Sequence, residues 1–424
     1  MTEEAELILQ RYLDLANEHG ELIRAGKVKA ANRLAEKWRD YAKAVANLVT
    51  TEAELRALLG RLAEANQAAV SSVAARFLGS MPAIAEPVLL DLCDHGHRPD
   101  TRLEAMGLLS EWRKGRLKLD WQRATAREEG TPSKRANATR QRNITLDKLL
   151  TKARKLGFSN LDAIRRLART AVDFRPNKMP GKAPPGISRM GGAPALPSSV
   201  SWPRRDGRSL AFVGQMNLGA MPCAMVEQGI PASGLLLFFY DDEQPCGSDP
   251  ADAGACAVVH APDAGESTPL SAWPDDVPED SRYKACGLKC LETITLPDWG
   301  CLLVEELNLD EDELTAYQDL LAVASDEGDA GLDRGLLGGH PDQLQADMML
   351  LCALVAAGLD DSEENSRLPA IRQQAHDWRL LLQVPTISGT GMEWGSGGCI
   401  YFWIREDDLR ERRFDRCWTI LQCT

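Results

Sequence analysis

The chain is short of the features that assign a function most directly. No apolar run in its 424 residues approaches the roughly 20 needed to span a bilayer. The start, MTEEAEL, is acidic and has neither the basic opening nor the apolar core of a secretory signal, so a cytoplasmic location is the expectation. Eleven cysteines stand at irregular spacings, which argues against a disulfide framework and for reduced packing residues. Only six histidines are present. Those of the C-terminal region, His260, His340 and His376, adjoin no G-x-S-x-G elbow. Gly389 to Gly398 lacks the spacing and the lysine of a phosphate-binding loop. The run Asp310 to Glu313 lacks the glycine and twelfth-position glutamate of an EF-hand. Cys93, His95 and His97 have no second pair at zinc-finger spacing, and Cys286, Cys290 and Cys301 form no C-x-x-C. No catalytic residue, metal or cofactor is assigned, and a non-enzymatic role is favoured over an enzyme.

What is present describes a globular protein of two or three domains, with 44% hydrophobic and 26% charged residues. The net charge of −13 is unevenly spread. Arg123 to Arg175 holds fourteen Lys/Arg against five Asp/Glu, or 14 − 5 = +9, which leaves −13 − 9 = −22 for the rest.

Residues 1–119 read as helical. Leu7, Leu9, Tyr12, Leu13 and Leu15 begin an apolar stripe, and Ala30, Leu34, Trp38, Tyr41 and Val45 continue one at helical spacing. Thr51 with Glu54 predicts a capping box. Further helices are expected over Ala68–Leu78, Pro82–Cys93 and Thr101–Arg113, with Gly96 and Gly115 just beyond helix ends. AANRLAEKW and the paired helices after it resemble small HEAT-like helical domains, which implies a surface for another macromolecule. Residues 120–173 read as a basic linker with short helices over Thr145–Leu156 and Ser159–Val172. Phe158 and Phe174 are too few for a base-stacking platform, which argues against nucleic acid as a partner.

Residues 174–424 turn to strands, prolines and glycines, giving an α+β class overall. Leu235–Tyr240, Leu380–Leu382 and Cys399–Ile404 are unbroken apolar runs, expected to be strands covered on both faces. Cys301–Glu305 reads as a strand, Asp310–Ala324 as a helix, and Asp342–Ala357 as a helix with Pro341 in its first turn and His340 at its cap. Two passages share an order of features. Gly191-Gly192-Ala193-Pro194 precedes a strand closing on Gln215 and then Leu235–Tyr240. Gly338-Gly339-His340-Pro341 precedes one closing on Gln383 and then Cys399–Ile404. Two duplicated sheet-containing units are the expectation.

GGAPALPSSVSWP, FVGQMNL, SGLLLFFYD, GGHPDQLQ, WRLLLQV and EWGSGGCIYFWI together resemble the YwqG-like domain of unknown function, over roughly the last 250 residues. Pro385, Thr386 and Ile387 depart from it, standing where acidic or serine residues are common. The resemblance implies an immunity or partner-binding role, with a basic toxin as one form of protein partner. A glycine-rich loop carrying Glu393 and Trp394 is expected to be mobile and exposed between its strands, with Trp202 a second exposed anchor. The alternative is a small-ligand cleft near Gln215, His340, Gln343, Gln383 and Glu393. Oligomeric state is left open.

Overall fold

The computed structural model describes residues 3–24, 34, 37–38, 41–95, 105, 108–109, 145–158, 160–178, 184–324, 334–359, 361–395 and 397–423. Contacts divide the chain into two compact units between Ala138 and Thr139. Of the expected helix Thr101–Arg113 the described residues are Ala105, Leu108 and Leu109, all helical; the end-glycines Gly96 and Gly115 and most of the basic linker lie outside the described residues.

The first unit packs helices Glu3–Arg24, Glu52–Ala65, Gln67–Phe77 and Pro82–His95. Leu9, Tyr12, Leu55, Leu58, Leu59, Leu62, Val70, Val73 and Leu89 fall on their inward stripes and form one core. Tyr12 is buried entire, and its hydroxyl is satisfied by donating to the Ala69 carbonyl at 2.7 Å. The Thr51 hydroxyl accepts from the Glu54 amide at 3.3 Å, and the Glu54 carboxylate accepts from the Thr51 amide at 3.0 Å. The Thr50 amide and hydroxyl first, and then the Thr51 bonds of this capping box, pull the Glu54 carboxyl down to about 2.

In the second unit, helices Leu146–Lys155 and Leu161–Leu167 bury Leu149, Leu150, Ala153 and Ile164 against Tyr317 and Leu320 of helix Glu311–Ala324. The second of these ends at Leu167, short of the expected Val172, because Arg169 begins a central strand. The strands are β1 Arg169–Asn177, β2 Arg189–Met190, β3 Arg204–Arg205, β4 Arg208–Ser209, β5 Ala211–Asn217, β6 Leu235–Tyr240, β7 Cys256–Ala261, β8 Cys286–Thr295, β9 Gly335–Leu337, β10 Trp378–Pro385, β11 Cys399–Arg405 and β12 Trp418–Gln422. Ten of them form one sheet in the order β12-β11-β10-β9-β1-β8-β2-β5-β6-β7, while β3 and β4 form a small hairpin. Every pair in it is antiparallel.

The sheet is one pattern used twice. Arg189 pairs with Gln215 and Gln215 with Leu237, just as Leu336 pairs with Gln383 and Gln383 with Tyr401. Leu237 then pairs with Val259, and Tyr401 with Ile420. Both long strands carry a bulge at the matching place, Phe212/Gly214 and Leu380/Leu382. Met190 pairs with Cys286 where Leu337 pairs with Val172, so the halves meet about the central pair Arg175 and Lys289.

The sheet curls so that its halves face each other. Phe238 and Phe402, at equivalent positions, meet edge to face at 5.1 Å. Between the halves lie Val213, Met216, Leu236, Leu381, Leu382, Val384 and Ile400. The end strands are also covered. The Cys256 thiol of β7 donates to the Cys417 carbonyl at 3.4 Å, and the Leu421 amide of β12 to the Cys246 carbonyl at 3.0 Å. Outside one half, helices Met348–Ala356 and Pro369–Ala375 cover Trp378, Leu380, Tyr401 and Trp403. Outside the other, no helix covers Leu235, Leu237 and Phe239 among the described residues; Ala264 and Trp273 of a long loop do so instead. Each unbroken apolar run is therefore a strand with both faces covered.

Two expected elements differ. Cys301–Glu305 is not a strand but the one-turn helix Leu302–Glu305, whose first amide donates to the Asp347 carboxylate at 2.7 Å. The helix expected from Asp342 begins at Met348 with Asp347 as its cap. Gln383 takes the Asp342 amide, and Gln422 takes those of Leu344 and Gln345, holding this stretch out of a helix.

Candidate functional site

The residues expected to line a binding cleft are mostly used up in holding the two halves in shape. Gln215 is fully buried. Its oxygen accepts from the Ala195 amide, and its nitrogen donates to the Pro185 and Ile187 carbonyls, each at 2.9 Å. Gln383 is equally buried and repeats the arrangement: its oxygen accepts from the Asp342 amide at 2.9 Å and its nitrogen donates to the Arg334 carbonyl at 3.1 Å. A primary amide has an acceptor and two donors, which suits it to pin a loop to a strand end where no ladder bond reaches. Each glutamine fastens a Gly-Gly-x-Pro loop. Gly192 and Gly339 have φ of 72° and 76°, and a Cβ would meet Ala285 Cβ at 2.9 Å or Ala171 Cβ at 2.7 Å.

His340 is also committed. Its amide donates to the Thr295 hydroxyl at 2.8 Å, and its Nε2 lies 2.7 Å from the Leu167 carbonyl, so that nitrogen carries the proton. Burial, with Arg169 nearby, holds its pKa well below the ordinary histidine value and keeps the ring neutral. Gln343 accepts from the Met348 amide at 3.4 Å, at the start of the helix.

Trp394 corrects the expectation of an exposed anchor. It is 0% exposed, its indole donates to the Pro385 carbonyl at 3.1 Å, and its ring meets Tyr240 and Tyr283 at 6.0 and 5.7 Å. The loop around it is tied down rather than mobile in its bonding. Ile387 bridges Met392, Gly398 donates to Trp394, and Thr386 Oγ1 accepts from the Trp394 amide. Its glycines serve close approach: a Cβ on Gly398 would stand 2.2 Å from the Gln422 carbonyl oxygen. Glu393 is exposed, and its carbonyl accepts from Gln244 at 3.0 Å. Trp202 is half-buried, donates to the Leu210 carbonyl and packs on Phe239 and Trp273. The seven residues are thus spread over both halves of the sheet.

Catalytic pairing has little to work with here. His260 lies against the Ser233 carbonyl and His376 against Glu306. Burial pushes the thiols of Cys256 and Cys301 up to about 12, so they stay protonated. Among the described residues no group of three or more His, Cys, Asp or Glu is placed to hold a metal. Cys93 packs against the first unit's core; the side chain of His95 and all of His97 lie outside the described residues. No helix among the described residues is long and apolar enough to cross a membrane.

Two acid-bearing surfaces stand out among the described residues. One is a recess lined by Asp377, Arg405, Glu406, Asp407, Asp408, Arg410, Arg413 and Arg416, four acids with four arginines. These pair among themselves, as Arg413 does with Asp408 at 2.7 Å, and leave little net field. The other is a stretch that reads from the sequence as acidic and loop-rich. Asp241 to Arg282 holds eleven Asp/Glu against a single arginine. Its second part, Pro262–Arg282, lies on the outer face of the helix-free half. There Ser271 donates to the Pro194 and Leu196 carbonyls, each at 2.8 Å, and Gly186 donates to the Glu266 carbonyl. Arg205 and Arg208 of the β3–β4 hairpin bond the buried Asp241 at 3.0 and 3.2 Å. Arg204 reaches Asp276, whose carboxyl is held below its ordinary range first by the Ser209 amide. Asp263, Glu266, Asp275 and Glu279 stay exposed, beside Leu270, which is 50% exposed. This anchored acidic apron is the candidate site.

No curated protein matches the chain. Residues 188–423, more than half of it, match the family model described as a domain of unknown function, DUF1963, with which the YwqG-like resemblance agrees. The match takes in both Gly-Gly-x-Pro loops, both glutamine locks and the apron, and the chain belongs to the DUF1963 family.

Proposed function

We propose that the chain is a non-enzymatic binding protein whose DUF1963 unit offers the apron between Asp241 and Arg282 to a basic protein partner. The carrying observation is the charge imbalance of that stretch, held on a bonded scaffold with an exposed leucine among its carboxylates. Carboxylates of one sign steer a basic partner and set register, while an apolar contact supplies most of the affinity. A small basic toxin, as the YwqG-like resemblance implies, has the required chemistry. The bonding of Gln215, His340 and Gln383 does not favour the small-ligand reading.

Copurification from the native host tests this, with the parent beside a variant carrying Asp263→Lys, Glu266→Lys, Asp275→Lys and Glu279→Lys. The expected result is a basic protein retained by the parent at low salt, released at high salt and lost from the variant. A parent recovered alone at every salt concentration, or a partner held equally by the variant, rejects the proposal.

A further inference from the structure

A separate face of the second unit carries the opposite charge. Lys148, Thr151, Lys152 and Lys155, with Asp147 at one end, line one shallow groove on helix Leu146–Lys155. Lysines at i, i+4 and i+7 share a stripe about 10 Å long at the helical rise of ~1.5 Å per residue. The stripe cannot turn inward, because Leu149, Leu150 and Ala153 on the other side are buried in the core with Ile164 and Tyr317. Arg154, Arg165 and Arg166 are exposed nearby, with Arg165 in a loose contact with Asp162 at 3.7 Å. From Thr145 to Arg166 six Lys/Arg face two Asp, a balance of 6 − 2 = +4 in a protein of net charge −13.

The side-chain types decide what such a stripe fits. Protein interfaces rest on apolar or aromatic anchors and are poor in lysine. Among the described residues the exposed large apolar side chains are Leu7, Leu90, Val226, Leu270, Trp299 and Leu368, none of them on these two helices. Lysine, arginine and threonine are donors that suit phosphate oxygens. Phe158, the aromatic residue between the helices, is buried and offers no ring to a base. We propose that this helix pair binds the sugar–phosphate backbone of a polynucleotide without reading its sequence. Stacking, whose absence weighed against nucleic acid in the sequence, is not needed for a contact of this kind.

The test is fluorescence anisotropy of the full chain with a labelled short single-stranded RNA and a labelled short DNA duplex. If about four phosphates are engaged, duplex affinity falls about a hundredfold between ~50 and ~200 mM salt. Lys148→Glu with Lys152→Glu and Lys155→Glu abolishes binding at low salt while the melting temperature holds. No binding by the parent at low salt overturns the proposal, as does unchanged affinity in the triple variant. Equal capture of poly-glutamate also overturns it and assigns the stripe to acidic proteins.

Discussion

The two halves of the sheet share a backbone and differ in nearly everything attached to it. The register, the bulge, the paired left-handed glycines and the glutamine lock recur in both. Yet one half wears two helices on its outer face and the other an acid-rich loop. Buried charge differs too. Arg334 grips Asp342 at 2.7 Å in the helix-covered half, where the other has Ile187 and Ala195. Arg189 in the loop-covered half bonds to the Pro185, Gly191 and Ala193 carbonyls, and burial pulls it down to about 10; its counterpart is Leu336. Backbone groups that must be paired hold the pattern in place, whereas the outer covering is free to diverge, and that is where the candidate site lies.

The largest effect expected is on what joins the halves. Trp394→Ala removes a ring that touches Tyr240 and Tyr283, and should destabilise the second unit by about 3–5 kcal/mol in a denaturant titration. A midpoint equal to the parent's would mean the halves do not depend on this ring. Next, Asp342→Ala strands a buried guanidinium at a cost of about 3–5 kcal/mol, and adding Arg334→Ile, which copies Ile187 and Ala195, should restore most of it. A double variant as unstable as the single would show that the halves are not interchangeable there. Gln215→Leu and Gln383→Leu should each cost about 2–3 kcal/mol, agreeing within about 1 kcal/mol. A large disagreement would break the equivalence of the two locks.

The smallest effect concerns pH and belongs to the helix-covered half. Burial raises the Asp347 carboxyl above its ordinary 3.8, so the folded chain holds a proton there that the unfolded chain has released. Stability from this group therefore falls as pH rises from 3.8 through the raised value. Asp347→Asn should flatten that part of the profile of denaturation midpoint against pH; an unchanged slope would assign it to another group.

Much of the fold could be read beforehand because its signals are local. Leu235–Tyr240 and Cys399–Ile404 are apolar at every position, which requires cover on both faces, and Thr51 meets Glu54 within one turn. The misreadings have distant causes. Leu302–Glu305 is too short for periodicity to choose between helix and strand, and the choice was made by Asp347, 45 residues away. The helix after Pro341 starts late because Gln383 and Gln422 claim its amides from across the sheet. Glycines around Trp394 read as freedom, yet Gly398 is small because another strand passes against it. The acidity of Asp241 to Arg282 is plain in the sequence, whereas its anchoring is not, because Ser271 bonds the Pro194 and Leu196 carbonyls more than 70 residues away.

The covering of both end strands also fixes an order of events during synthesis. The rim of β7 is sheltered by residues around Cys417, and β12 leaves the ribosome after every other strand. Until then a nascent chain carries an open ladder of unpaired amides and carbonyls, the kind of edge that recruits neighbouring chains. That exposure ends when β12 docks.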